Sequence, residues 1–135
     1  MNFHVDPILS FIVETVEESK NIEFPLTIFT KGIIVTGLVI PMEKFFDNTI
    51  QKFVMGTGDL SARELLIDVF KQTSITILDI SEEERKERGF LTHTYIHLKN
   101  VKIISNGTTY SISNENCWRV KLDEVDGFTI GIFGD

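Results

Sequence analysis

Apolar residues along the chain change period several times, and each change marks an element. Ile8, Phe11, Ile12 and Val16 recur at i, i+3, i+4 and i+8, one face of an α-helix. Asp6 can cap the free N–H groups of the first turn, and Pro7 fits there because its missing donor costs nothing. The spacing predicts a helix over about 6–20, with Glu14, Glu17 and Glu18 off the stripe. From Phe24 the period falls to two, with Phe24, Leu26 and Ile28 alternating with Pro25, Thr27 and Phe29. Lys31-Gly32 is a turn signal and Ile33 to Ile40 is apolar and β-branched, so a hairpin is predicted over 24–40. Gly37 in the middle of its second strand predicts a bend or bulge.

Pro41 stops that strand. Met42, Phe45, Phe46, Ile50 and Phe53 return to helical spacing and predict a helix over 42–55, ended by Gly56-Thr57-Gly58. Ser61 with Glu64 reads as a capping box. Ala62, Leu65, Leu66, Val69 and Phe70 then predict a second amphipathic helix over 61–73. Ile75, Ile77 and Ile80 fit either a short strand or a longer helix. The charged run Ser81 to Arg88 reads as a loop or frayed helix with a solvated face. Phe90 to Ser105 is a strand pattern, with Tyr95 and His97 on one parity and Ile96 and Leu98 on the other. Asn106-Gly107 is a turn. Cys117 to Leu122 is a strand, Asp126-Gly127 a hairpin turn, and Phe128 to Phe133 a closing strand.

This order predicts one α+β domain over 1–135, because short turns favour antiparallel pairing. An N-terminal helix precedes a mostly antiparallel, strongly twisted sheet or a small Sm/SH3-like barrel. A two-helix insertion separates strands 2 and 3. Leu26 to Gly37 resembles the first hairpin of such barrels, a likeness of fold that carries no function.

Composition narrows the class. With 20 acidic and 13 basic residues the formal net charge is −7, so the mean field repels phosphate and disfavours nucleic acid and anionic membranes. The single cysteine, Cys117, excludes an intrachain disulfide and fits a reducing compartment. The N-terminus lacks the cationic and apolar blocks of a secretory signal. The apolar runs fall short of the roughly 20 residues that span a bilayer. The expectation is a cytoplasmic protein with no membrane association.

Candidate chemistry is sparse. His93 and His97 share one side of a strand and lack an obvious third metal ligand, so strand packing is the simpler reading. Asp123, Glu124 and Asp126 place three carboxylates in one short stretch, yet Asp126-Gly127 is turn chemistry. Cys117 has no neighbouring base to make it a nucleophile and reads as a packing residue. Phosphate-cradle, nucleophile-elbow and zincin motifs are absent from the sequence. No catalytic residue, cofactor or metal is expected. The adjacent Phe45 and Phe46 do not both fit one narrow stripe, so one is expected at a groove or an oligomer contact.

Two blocks resemble a known family. One runs Tyr95-Ile96-His97-Leu98-Lys99-Asn100-Val101-Lys102-Ile103, then Trp118-Arg119-Val120-Lys121, then Glu124-Val125-Asp126-Gly127-Phe128 and Gly131. The other is Lys31-Gly32-Ile33-Ile34-Val35-Thr36-Gly37 followed by Glu43-Lys44-Phe45-Phe46-Asp47. Together they resemble the GvpU family of gas vesicle accessory proteins. The resemblance implies a cytoplasmic, non-enzymatic protein that acts in vesicle assembly, size or clustering. Its partners would be the vesicle shell or other gas vesicle proteins, or a second copy of itself. Related proteins can continue in a polar tail where this sequence stops at Asp135, so weak multivalent self-association through such a tail is not carried over. Contact would fall on Tyr95, Trp118 and Phe128, or on Phe45 or Phe46, because interface hot spots favour aromatic residues. Two other readings stand beside it: an Sm-like nucleic-acid-binding module, opposed by the −7 charge, and a small metal- or ligand-dependent enzyme built on His93, His97 and the Asp123–Asp126 cluster.

Overall fold

The computed structural model describes residues 6–55, 60–79, 95–112 and 117–132. Helix α1 spans Pro7–Ser19. The Asp6 carboxylate caps it, accepting from the Ile8 and Leu9 N–H groups at 2.8 and 3.4 Å. Lys20 ends it in the left-handed conformation, its N–H donating back to the Val16 carbonyl. The buried face differs from the predicted one. Leu9, Ile12, Val13 and Val16 are buried, whereas Ile8 and Phe11 are exposed. Two apolar stripes share this helix, and docking on the sheet selects the one containing Leu9 and Val13. Each fully buried aliphatic side chain there is worth roughly 1.5–3 kcal/mol of transfer free energy.

Strands β1 (Phe24–Thr30) and β2 (Ile33–Ile40) form the predicted hairpin. Lys31 and Gly32 both have positive φ, 48° and 82°, the backbone of a tight two-residue turn whose twist matches the strands. Helix α2 covers Met42–Met55 and α3 covers Leu60–Asp79. Helix α3 starts one residue before Ser61, which therefore lies inside the first turn rather than at the cap. It also runs on past residue 73, so Ile75 and Ile77 extend the helix instead of starting a strand. Nothing in the sequence between Phe70 and Asp79 interrupts a helix: that stretch holds neither Gly nor Pro. Ile80, the charged run 81–88, His93 and Phe133 lie outside the described residues.

Strand β3 (Tyr95–Ser105) joins β4 (Thr108–Ser111) through Asn106-Gly107, again with paired positive φ. Strand β5 (Cys117–Lys121) pairs with the first half of β3, and β6 (Gly127–Ile130) pairs with β1. The spatial order is β4-β3-β2-β1-β6, all antiparallel, with β5 beside β4 on the same flank of β3. The predicted Asp126-Gly127 hairpin does not form. Its two strands sit on opposite edges, and a 3₁₀ turn, Leu122–Glu124, carries the chain between them.

That crossing requires a coiled sheet. Lys121 pairs with Tyr95, beyond the His97–Ile40 level, while the Glu124 carbonyl accepts from Thr30 Oγ1 at the far end of the β1–β2 hairpin. In a flat sheet those levels would stand roughly 30 Å apart along the strands. The turn between Lys121 and Glu124 reaches at most about 11 Å. The sheet therefore curls until opposite corners meet. It does not close: among the described residues β6 pairs only with β1, so the barrel alternative gives way to an open, coiled sheet.

One core fills the coil. Leu9, Val13 and Val16 of α1 meet Leu26, Ile28, Val35, Val39, Ile96, Leu98, Val101, Val120 and Leu122. The inward residues of β3 change parity, from Ile96 and Leu98 to Val101 and Ile103. The cause is a bulge: Thr36 pairs with Lys102 and Leu38 with Lys99, so Gly37 alone faces both Asn100 and Val101. Asn100 adopts φ 54°, which asparagine tolerates. A Cβ on Gly37 would stand 2.9 Å from the Lys99 carbonyl oxygen. Helix α2 is tied to α1 at its start, where Glu17 Oε1 accepts from the Met42 N–H at 2.7 Å and Lys20 pairs with Glu43 at 3.2 Å.

Two outcomes are expected. Gly37→Ala loses about 1–3 kcal/mol in chemical denaturation because a backbone carbonyl has to move. Asn100→Gly, which suits the left-handed bulge, loses little. Glu17→Ala loses about 1 kcal/mol by removing a helix-start acceptor, while Glu17→Gln, which keeps an acceptor oxygen, loses less.

Candidate interaction face

Period-two geometry sends the residues of β3 that avoid the core to the opposite face. Tyr95 and His97 stand there, and the register places Lys121 opposite Tyr95 and Arg119 opposite His97. Helix α2 lays Phe45 over this pair of strands. The Phe45 and His97 rings lie 4.7 Å apart, and the Arg119 guanidinium carbon sits 3.8 Å from the Tyr95 centroid and 5.4 Å from that of Phe45. His97 is 2% exposed, whereas Phe45 and Tyr95 remain half-exposed and Arg119 reaches solvent. Partial burial lowers the Arg119 pKa from its usual value, and the Tyr95 oxygen opposes that shift.

The adjacent phenylalanines divide as two neighbouring helix positions must. Phe46 is buried and packs edge-on against Phe70 of α3, with ring centroids 5.3 Å apart. Phe45 meets the sheet. Trp118 and Phe128 lie on the other side of the sheet, paired with Leu98 and Ile28 and packed against the core as half-buried residues. The structure thus brings Tyr95 and Phe45 together and separates both from Trp118 and Phe128.

Two members of the carboxylate cluster, Glu124 and Asp126, have structural roles. Asp126 Oδ2 accepts from the Lys31 N–H at 3.0 Å, and its own N–H donates to the Phe29 carbonyl at 2.7 Å. Glu124 pairs with the Lys31 ammonium at 3.2 Å. These contacts latch the β1–β2 turn to the returning chain, at the end of β2 opposite His97. Among the described residues no three His, Cys, Asp or Glu side chains are placed to hold a metal ion. Cys117 is half-buried, and burial pushes its thiol pKa up against the opposing pull of Lys99 and Lys52.

Sequence reasoning passed over Arg119. Its signal was present in the alternation Cys117, Arg119, Lys121, which puts two cations on the strand parity that faces Tyr95 and His97. The apolar stripe of α3 faces solvent. Leu65, Leu66 and Val69 of α3 are 64%, 51% and 53% exposed, and Leu60, Ile8 and Phe11 are also exposed. No described helix is long and apolar enough to cross a membrane.

A family model described as gas vesicle protein GvpU-like matches residues 6–133, a wider span than the two blocks that carry the resemblance. No curated protein and no solved structure matches the chain. The family match includes α1, the coiled sheet, the α2–α3 pair and the Arg119 face, and the chain belongs to the GvpU-like family of gas vesicle proteins.

Proposed function

We propose that this chain is a non-enzymatic accessory protein that acts by adhesion. It contacts the gas vesicle shell, other gas vesicle proteins or a second copy of itself, in vesicle assembly or clustering, within the cytoplasm. The observation that supports this most is the solvent-facing apolar strip of α3. Leu65, Leu66 and Val69 fall at i, i+1 and i+4, so they share one side of the helix. Helix α2 takes the neighbouring side through Phe70. Leaving large apolar side chains in water gains a monomer nothing, and clustered exposed apolar residues mark contact surfaces. The half-exposed Tyr95 and Phe45 supply a second, aromatic contact, and Trp118 and Phe128 border the core on the other side. Phe46 contributes indirectly, by fixing α3 against α2.

Two of the three carboxylates that an enzyme reading would need, Glu124 and Asp126, are engaged in holding the β1–β2 turn, which favours the adhesive reading over a catalytic one.

The test is flotation. Purified protein mixed with isolated gas vesicles should rise with them on centrifugation, or should increase their clustering by light scattering. Replacing Leu65, Leu66 and Val69 together by Ser should weaken that association at least tenfold, the scale of losing one interface hot spot. Absence of both co-flotation and clustering in the unmodified protein would sink the reading.

A further inference from the structure

Three of the cations near this sheet are neutralised. Lys20 pairs with Glu43, Lys31 with Glu124, and Lys99 with Glu23. Arg119 is different. Its contacts are the rings of Tyr95 and Phe45, and among the described residues its guanidinium meets no carboxylate, in a chain with 20 acidic residues. Lys121 follows two positions along β5, on the same face and exposed, also without an acidic partner among the described residues. Side chains at i and i+2 of a strand stand about 7 Å apart, close enough for one extended peptide to touch both.

The rings do more than cover the cation. The Tyr95 ring, 3.8 Å from the guanidinium carbon, restricts the side chain before a ligand arrives, so less freedom is lost on binding. An arginine edge held this way matches the two oxygens of a carboxylate. We propose that Arg119 and Lys121, walled by Tyr95 and Phe45, bind the carboxylates of an acidic segment of a partner protein.

This inference rests on the adhesion reading and names the chemistry of one partner segment. Charge complementarity selects the occupant. The face carries local positive charge from Arg119 and Lys121, which share one strand parity. The rest of the molecule is acidic enough to repel a long polyanion, whose affinity depends on many phosphate contacts made at once. A short acidic peptide needs only this face, and its aliphatic carbons can pack on the exposed parts of the Tyr95 and Phe45 rings.

The probe is fluorescein-labelled hexaglutamate, titrated with the full-length protein and followed by anisotropy at low ionic strength. Binding should weaken as salt approaches 0.15 M, where the Debye length falls to about 8 Å. Arg119→Gln should weaken binding by about tenfold or more, and Arg119→Lys, which keeps the charge without the planar fork, by less. Lys121→Gln should cost roughly two- to fivefold. Lys71→Gln, on the exposed side of α3, should change nothing, and thermal melts would show that each variant is folded. No binding by the unmodified protein, or equal binding by Arg119→Gln and Lys121→Gln, overturns the site. Tighter binding of a hexathymidylate oligonucleotide overturns it in favour of phosphate. Vesicle flotation of the same variants separates the two claims: flotation without hexaglutamate binding removes this site alone, and hexaglutamate binding without flotation removes the adhesion reading alone.

Discussion

The Lys99 carbonyl passes so close to Gly37 that no side chain fits between them, and much of the fold follows from that approach. The close passage accompanies an extra residue in β3, taken up at Asn100 in a left-handed conformation. The bulge changes which residues face inward, so that Ile96 and Leu98 before it and Val101 and Ile103 after it all reach one core. If the same sequence paired without the bulge, the second half of β3 would present Lys102 to the core instead. Bulges also increase local twist, in keeping with a sheet coiled enough for a short 3₁₀ turn to carry the chain across to the far edge.

Coiling divides the molecule into two environments. Inside, aliphatic side chains from α1 and four strands exclude water. Outside, β3 and β5 present alternate residues of quite different character: a histidine, a tyrosine, an arginine and lysines. Helix α2 partly covers that outer face, with Phe45 against His97 and Phe46 turned toward α3. The chain thus keeps polar and aromatic groups at a surface that is neither core nor fully solvated, where an ordered cation and ordered rings lose little entropy on meeting a partner. The overall charge of −7 and this local positive face do not conflict. The first sets the long-range field, and the second acts within a few ångströms.

Turns were the most legible features. Gly32 and Asn106-Gly107 favour positive φ directly, and both turns form tight hairpins. Asp126-Gly127 carries the same chemistry and forms none, because its Asp side chain accepts from the Lys31 N–H of a distant turn and the strands on either side belong to opposite edges. A dipeptide specifies local dihedrals; it does not specify which strand comes next to which. The same limit applies to α1, where two apolar stripes satisfied the helical period equally well. It applies to α3 too, whose Leu65, Leu66 and Val69 form a good amphipathic stripe that no other element of the described structure covers.

Local sequence therefore settled the α+β class, the order of elements, the two-helix insertion and the need for a bend at Gly37, since periodicity, capping and glycine act over a few residues. Tertiary structure alone decided that the sheet stays open, that α1 buries Leu9 and Val13 rather than Ile8 and Phe11, and that Arg119 comes to rest on Tyr95 and Phe45. Those outcomes depend on residues far apart in the chain being brought into register, and register is a property of whole strands meeting one another, which no single segment contains.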